Sequence, residues 1–161
     1  MFFFPISDDN ESNSKPYICY CLLGICRFIY LWQNALPINL NQSAIYNFGV
    51  IPAAVLGDQQ GLIHPYLTIF TSMFMHGGWM HLIGNMVFLW IFGDNIEDSM
   101  GHKKFLVFYL LSGIFAALLQ ASIDPSSSVP MIGASGAIAG LLGAYLVPVS
   151  YTHLRAHETL L

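Results

Sequence analysis

Charged residues are scarce along this chain, and their placement divides it. Four stretches contain no Asp, Glu, Lys or Arg: Phe28 to Gly57, Gln59 to Gly93, Phe105 to Ile123 and Pro125 to Leu154. Each can hold at least one apolar helix of roughly 20 residues, the length that crosses the hydrocarbon core of a bilayer. The pattern predicts a first span from about Pro16 to Leu36, with Pro16 in the first turn, where a helix tolerates it. A second runs from Trp79 to about Phe92 and is closed by the most charged run in the chain, Gly93 to Lys104. A third covers Phe105 to about Ser122 and ends in the Asp124-Pro125-Ser126-Ser127-Ser128 turn. A fourth starts near Ile132 and reaches about Val147. The predicted fold class is all-α, a polytopic helical membrane protein with about four transmembrane helices.

Between the first two spans lies Leu36 to Gly78, punctuated by Pro37, Gly49, Pro52, Gly57, Gly61, Pro65, Gly77 and Gly78, yet still apolar. An apolar connection of this length is not expected to lie free in water, so it is placed partly in the membrane or at its interface. Residues 1–15 read as a polar N-terminal segment without the basic start and small-residue cleavage site of a signal peptide. Residues 16–147 form the membrane domain. Arg27 falls near the middle of the first span, where an arginine costs roughly 2.5 to 3.5 kcal/mol on insertion scales.

Composition agrees with the pattern. Charged residues make up 9% of the chain and hydrophobic ones 55%, with a mean hydropathy of +0.59; soluble domains run at about 25% charged. The net charge of −4 and the lack of a basic cluster argue against nucleic-acid binding, which needs Lys and Arg to displace phosphate counterions. Partners are therefore sought in the bilayer. Cys19, Cys21 and Cys26 all lie in the first span, where they are expected to pack as small hydrophobes rather than form a disulfide or metal framework.

Lys15, Lys103 and Lys104 place the N-terminus and the connection between spans two and three on the cytoplasmic side. Four spans then bring the starts of spans two and four, around His81 and Ser135, to the same outer depth. His81 and Asn85 are four residues apart and share a helix face. Such a polar pair in a membrane is either a functional site or a hydrogen bond between helices, and spacing alone leaves these even. His76 is off that face and is expected to fix the loop; with no third ligand nearby, a His76/His81 metal site is not expected, nor is any cofactor.

Gly133-Ala134-Ser135-Gly136 opens the fourth span. By itself it reads as a helix cap followed by a close-packing stripe that includes Gly136 and Gly140. Three physical points favour chemistry. A serine in the first turn of a helix lies beside unpaired N–H groups that can hold an oxyanion. Gly133 and Gly136 allow close approach of a substrate backbone. His81 and Asn85 add two donors at that depth.

The run from Phe70 through His76-Gly77-Gly78-Trp79-Met80-His81 and Asn85 to Asp98, followed by Gly133-Ala134-Ser135-Gly136-Ala137-Ile138-Ala139-Gly140, resembles bacterial rhomboid intramembrane serine proteases over about Asp8 to Val147. The resemblance implies a partial rhomboid bundle with a long membrane-embedded first loop. It implies Ser135 as nucleophile, His81, Asn85 and the Ser135 N–H as oxyanion donors, and single-span membrane proteins with locally unwound helices as substrates. It also implies an integral protein of the bacterial inner membrane with a cytoplasmic N-terminus.

A serine nucleophile needs a base within hydrogen-bond reach. In rhomboids that base is a histidine on a sixth span, which is expected to be missing from this chain, so the 161 residues alone are expected to be inactive. Residues 148–161, beginning at Pro148, break the apolar pattern and are expected to be a non-native tail; Ala156-His157 matches the missing dipeptide, but Glu158 and Thr159 follow where the family has small residues. Many rhomboids carry an arginine near the position of Thr68. The competing function is a non-catalytic rhomboid-like protein that binds transmembrane clients.

Overall fold

The structure is a computed structural model that describes residues 15–57 and 62–158, with backbone only for 147–158. The polar segment 1–14, residues 58–61 and residues 159–161 lie outside the described residues. The fold is all-α: α1 (Tyr17–Ala35), α2 (Ile38–Phe48), α3 (Pro52–Val55), α4 (Pro65–Thr71), a 3-10 turn (Ser72–Phe74), α5 (Trp79–Met100), α6 (His102–Ile123) and α7 (Ser135–Glu158).

α1 and α6 are each long and apolar enough to cross a membrane. Their outward faces are apolar, with Phe28, Leu111 and Phe115 exposed, as a surface turned to lipid rather than water requires. The inward faces meet in one core, where Leu89 of α5, Phe105 and Tyr109 of α6 and Leu141 of α7 are all but fully buried. α6 and α7 form the most extensive helix pair, and small residues are the reason. The open side of Gly136 faces the Ala116 methyl, and that of Gly140 faces the Ser112 side chain, so the Gly136/Gly140 stripe meets an i, i+4 pair on α6 and the backbones come close.

Two boundaries differ from the sequence reading. The second span does not stop at Phe92: α5 continues through the charged run to Met100 and ends at Gly101, whose φ of 80° suits a helix terminus. Its buried stripe, Leu82, Asn85, Leu89, Gly93, Ile96 and Glu97, keeps helical spacing throughout. Glu97 is fully buried because it has work at the start of α1. Its two carboxylate oxygens accept from the N–H groups of Ile18 at 2.9 Å and Cys19 at 2.7 Å, and Oε1 also meets His102 Nδ1 at 2.5 Å. Likewise α7 does not end at Pro148 but runs on to Glu158; a proline removes one backbone bond from a helix without necessarily breaking it in a membrane bundle.

The apolar connection after α1 is mostly helical rather than irregular, and it is built into the bundle. Val50, Val55 and Ile69 form a small core against Ile114 and Ala117 of α6. Thr68 is buried and its hydroxyl donates to the Pro65 carbonyl at 2.6 Å. Cys19 and Cys26 pack in the interior, while Cys21 faces outward.

Candidate active site

The starts of α5 and α7 meet at the end of the bundle opposite Glu97. Three backbone ties position the stretch that leads into α7. Val50 and Met131 exchange bonds in an antiparallel bridge, with N···O distances of 2.9 and 2.7 Å. The Gly133 N–H donates to the Ser72 carbonyl at 2.9 Å. Gly133 holds a φ of 123°, a conformation open to glycine and strained for other residues, and this turns the chain from the bridge into the first turn of α7.

Ser135 is the first residue of α7 and is exposed, while Ala134 and Ala137 on either side are buried. The first-turn N–H groups of α7 have no partner within the helix. A cavity of about 200 Å³ opens beside them, lined by Ser72, Gly113, Gln120, Gly133, Ser135 and Gly136 among others.

His81 and Asn85 come to the same place through Gly133. A methyl group on Gly133 would stand 2.6 Å from His81 Nε2 and 3.7 Å from Asn85 Nδ2, so the absent side chain is the space that the imidazole fills. The Gly77 N–H points at His81 Nδ1, 3.4 Å away, which makes Nδ1 the accepting nitrogen and leaves the proton on Nε2. That N–H therefore faces the Gly133 turn. Asn85 is buried and donates one amide hydrogen to the His81 carbonyl at 3.0 Å, leaving a second available. His81 and Asn85 of α5 thus lie against the Gly133 turn that leads into Ser135 and the open first-turn N–H groups of α7.

The loop before α5 is fixed by a residue with no sequence signal of its own. Gln33, near the end of α1, accepts from the His76 N–H at 3.1 Å and donates to the His76 carbonyl at 3.2 Å. His76 is buried, its ring lies 5.2 Å from that of His81 in an edge-to-face arrangement, and Nδ1 donates to the Phe74 carbonyl at 3.2 Å. Burial and the neighbouring His81 hold its pKa down at about 4, so it is neutral at physiological pH. Of the residues singled out in the sequence, the structure brings His81, Asn85 and Gly133 together and sets Ser135 and Gly136 directly after that turn; Gln33 and Ser72 were not singled out, because each acts through a contact distant in sequence.

A Rhomboid domain model matches residues 64–160. Among curated proteins, the chain is 28% identical to Rhomboid protease GluP of Bacillus subtilis over 83% of this chain and 25% of that protein. It is 34% identical to RHOMBOID-like protein 1 of Arabidopsis thaliana over 84% of this chain and 34% of that one. Against Rhomboid-like protease 5 of Toxoplasma gondii it is 42% identical over 49% of this chain and 9% of that protein. The chain thus spans a third or less of the length of several of the curated relatives it matches. No solved structure gives a significant match.

Proposed function

The chain belongs to the rhomboid family, and from that premise we propose that it is the part of an intramembrane serine endopeptidase that carries the nucleophile and the oxyanion site. Ser135 Oγ attacks the carbonyl carbon of a substrate peptide bond, and its proton passes to a base. The resulting oxyanion is held by the Nε2–H of His81, the Asn85 amide and the Ser135 N–H. The carrying observation is the single point of approach at Gly133, which puts the His81 ring and the Asn85 amide against the turn that presents Ser135. Breaking the peptide bond releases the amine half and leaves an acyl-enzyme for water to hydrolyse. Gly133 bears no side chain on the substrate's approach, and Gly136 combines that role with packing on α6.

Substrates on this reading are single-span membrane proteins whose helix unwinds locally, because an intact helix hides its peptide bonds. The protein sits in a bacterial inner membrane with the N-terminus cytoplasmic. The placement of Tyr17 against His102, with ring centroids 5.6 Å apart, supports that orientation. It gathers the start of α1, just after Lys15, and Lys103 and Lys104 at one end of the bundle, as the positive-inside rule requires.

The test is cleavage of a model single-span substrate by the protein expressed from its complete gene and reconstituted in lipid, together with labelling by a fluorophosphonate probe. Cleavage and labelling that both disappear in Ser135→Ala are the expected result. Substrate capture without cleavage or labelling, unchanged in Ser135→Ala, would replace the protease reading with that of a client-binding protein.

A further inference from the structure

A second feature of the bundle lies away from Ser135. α1 and α5 diverge on their outer faces to form an apolar groove of about 730 Å³, with Leu31, Ile83 and Val87 among its walls and Arg27 as its one charged lining residue. Two aromatic contacts bridge the helices along it: Tyr30 meets Trp79 edge-on at 4.9 Å, and Tyr20 stacks on Trp90 at 5.8 Å. Trp79 and Trp90 are separated by three turns, about 16 Å along α5.

Arg27 is the eleventh residue of the nineteen in α1, and it is exposed. It therefore lies close to mid-depth, about 15 Å from the start of the helix and about 12 Å from its end. No ion pair involves it among the described residues. Neither helix that walls the groove supplies a carboxylate at this depth: α1 contains no Asp or Glu and α5 has none before Asp94. A guanidinium at this depth is costly unless it meets an anion or finds water. A lipid phosphate lies at the headgroup level, near the helix ends, whereas a carboxylate on a second membrane-spanning helix lies at the depth of Arg27. The groove also has the apolar walls and length to receive one face of a helix.

We infer that the α1/α5 groove is a docking site for a single-span partner helix with an Asp or Glu near its middle, held by an ion pair to Arg27. The site is separate from the Ser135 cavity and its occupation needs no cleavage, so it stands or falls independently of the protease reading.

The experiment measures energy transfer between the labelled protein, expressed from its complete gene, and labelled Leu/Ala peptides in zwitterionic nanodiscs. One peptide carries a central Glu and its twin carries Gln. The Glu peptide is expected to bind about tenfold more tightly, in keeping with a polar contact between membrane helices. Arg27→Gln should erase the preference, Arg27→Lys should keep most of it, and moving the Glu two turns toward either end of the peptide should remove it. Ile83→Trp, which fills the groove without touching the charge, should weaken both peptides. Equal binding of the Glu and Gln peptides, or a preference that survives Arg27→Gln, overturns the proposal. So does an Arg27→Gln effect confined to the number of phosphatidylglycerol molecules retained in native mass spectrometry, which would make the groove a lipid site.

Discussion

Removing the Glu97 carboxylate should loosen the end of the bundle where α1 begins by a predictable amount. α1 begins at Tyr17 with Pro16 as its cap residue and no side-chain cap from its own sequence, so two of its open N–H groups rely on Glu97 from α5. The carboxylate is fully buried and also lies favourably at the positive end of the α1 dipole. A hydrogen bond to a charged group contributes about 1.5 to 3 kcal/mol, and Glu97 accepts two from the start of α1. Glu97→Ala strands both N–H groups, and is expected to cost about 3 to 6 kcal/mol. Glu97→Gln keeps one oxygen as an acceptor and should cost about half of that. The assay is unfolding in lipid-detergent micelles followed by circular dichroism, with hydrogen exchange at the amides of Ile18 and Cys19 as the local readout. The two amides should exchange faster in both variants, and most in Glu97→Ala. If Glu97→Ala unfolds within about 0.5 kcal/mol of the parent, the size of effect seen at ordinary surface positions, and the two amides keep their protection, Glu97 is not the cap of α1.

Gly133→Ala should cost about 1 to 3 kcal/mol from the positive φ alone and, because the new methyl reaches the His81 imidazole, should lower fluorophosphonate labelling of Ser135 more than tenfold in the protein expressed from its complete gene; unchanged labelling would separate His81 from the site. Gly140→Ala pushes a methyl into the Ser112 side chain and should destabilise by about 1 to 3 kcal/mol, with Ser112→Gly in the same chain restoring part of the loss in a micelle unfolding titration. His76 has a folded pKa near 4, below the ordinary value of 6.5. Its contribution to stability is thus complete above about pH 6.5 and is lost as the pH falls toward 4, because the unfolded chain then binds the proton first. Melting temperatures recorded from pH 7.5 to 4 should fall across that window, and His76→Phe should flatten the fall.

The helices that cross the bundle were legible in the hydropathy pattern because lipid-facing and core-facing positions are both apolar, which leaves long uninterrupted runs. α1 spans Tyr17–Ala35 and α6 spans His102–Ile123, each within a few residues of the expected bounds. The end of α5 was misread for the complementary reason. Asp94, Glu97 and Asp98 look like a solvated loop when charges are counted, although Leu89, Gly93, Ile96 and Glu97 continue one face at helical spacing and Gly101 marks the stop. The periodicity was the better signal, but only the α1 N–H groups explain why a carboxylate belongs on the buried face. Of the candidate site residues, His81, Asn85 and Ser135 stood out in the sequence because polar side chains are unusual in an apolar helix. Gln33 and Ser72 were not, since one contributes an ordinary side-chain amide and the other a backbone carbonyl.

Ser72 shows why the embedded connection belongs to the site rather than merely shielding it. Its carbonyl receives the Gly133 N–H, and Val50 in the same connection receives and donates across the bridge to Met131. Between them, these three bonds fix both sides of the short stretch in which the backbone turns through positive φ. The turn decides where Ser135 stands relative to His81. On the other flank, Gln33 clasps His76 through both backbone groups, and His76 sets its ring against His81. Both partners of the serine turn are therefore positioned from segments that carry none of the chemistry themselves. Substitutions in the connection that leave Ser135, His81 and Asn85 untouched should then act on reactivity through the Gly133 turn, and their effect should follow the Ser72 and Val50 bonds rather than the hydrophobicity of the segment.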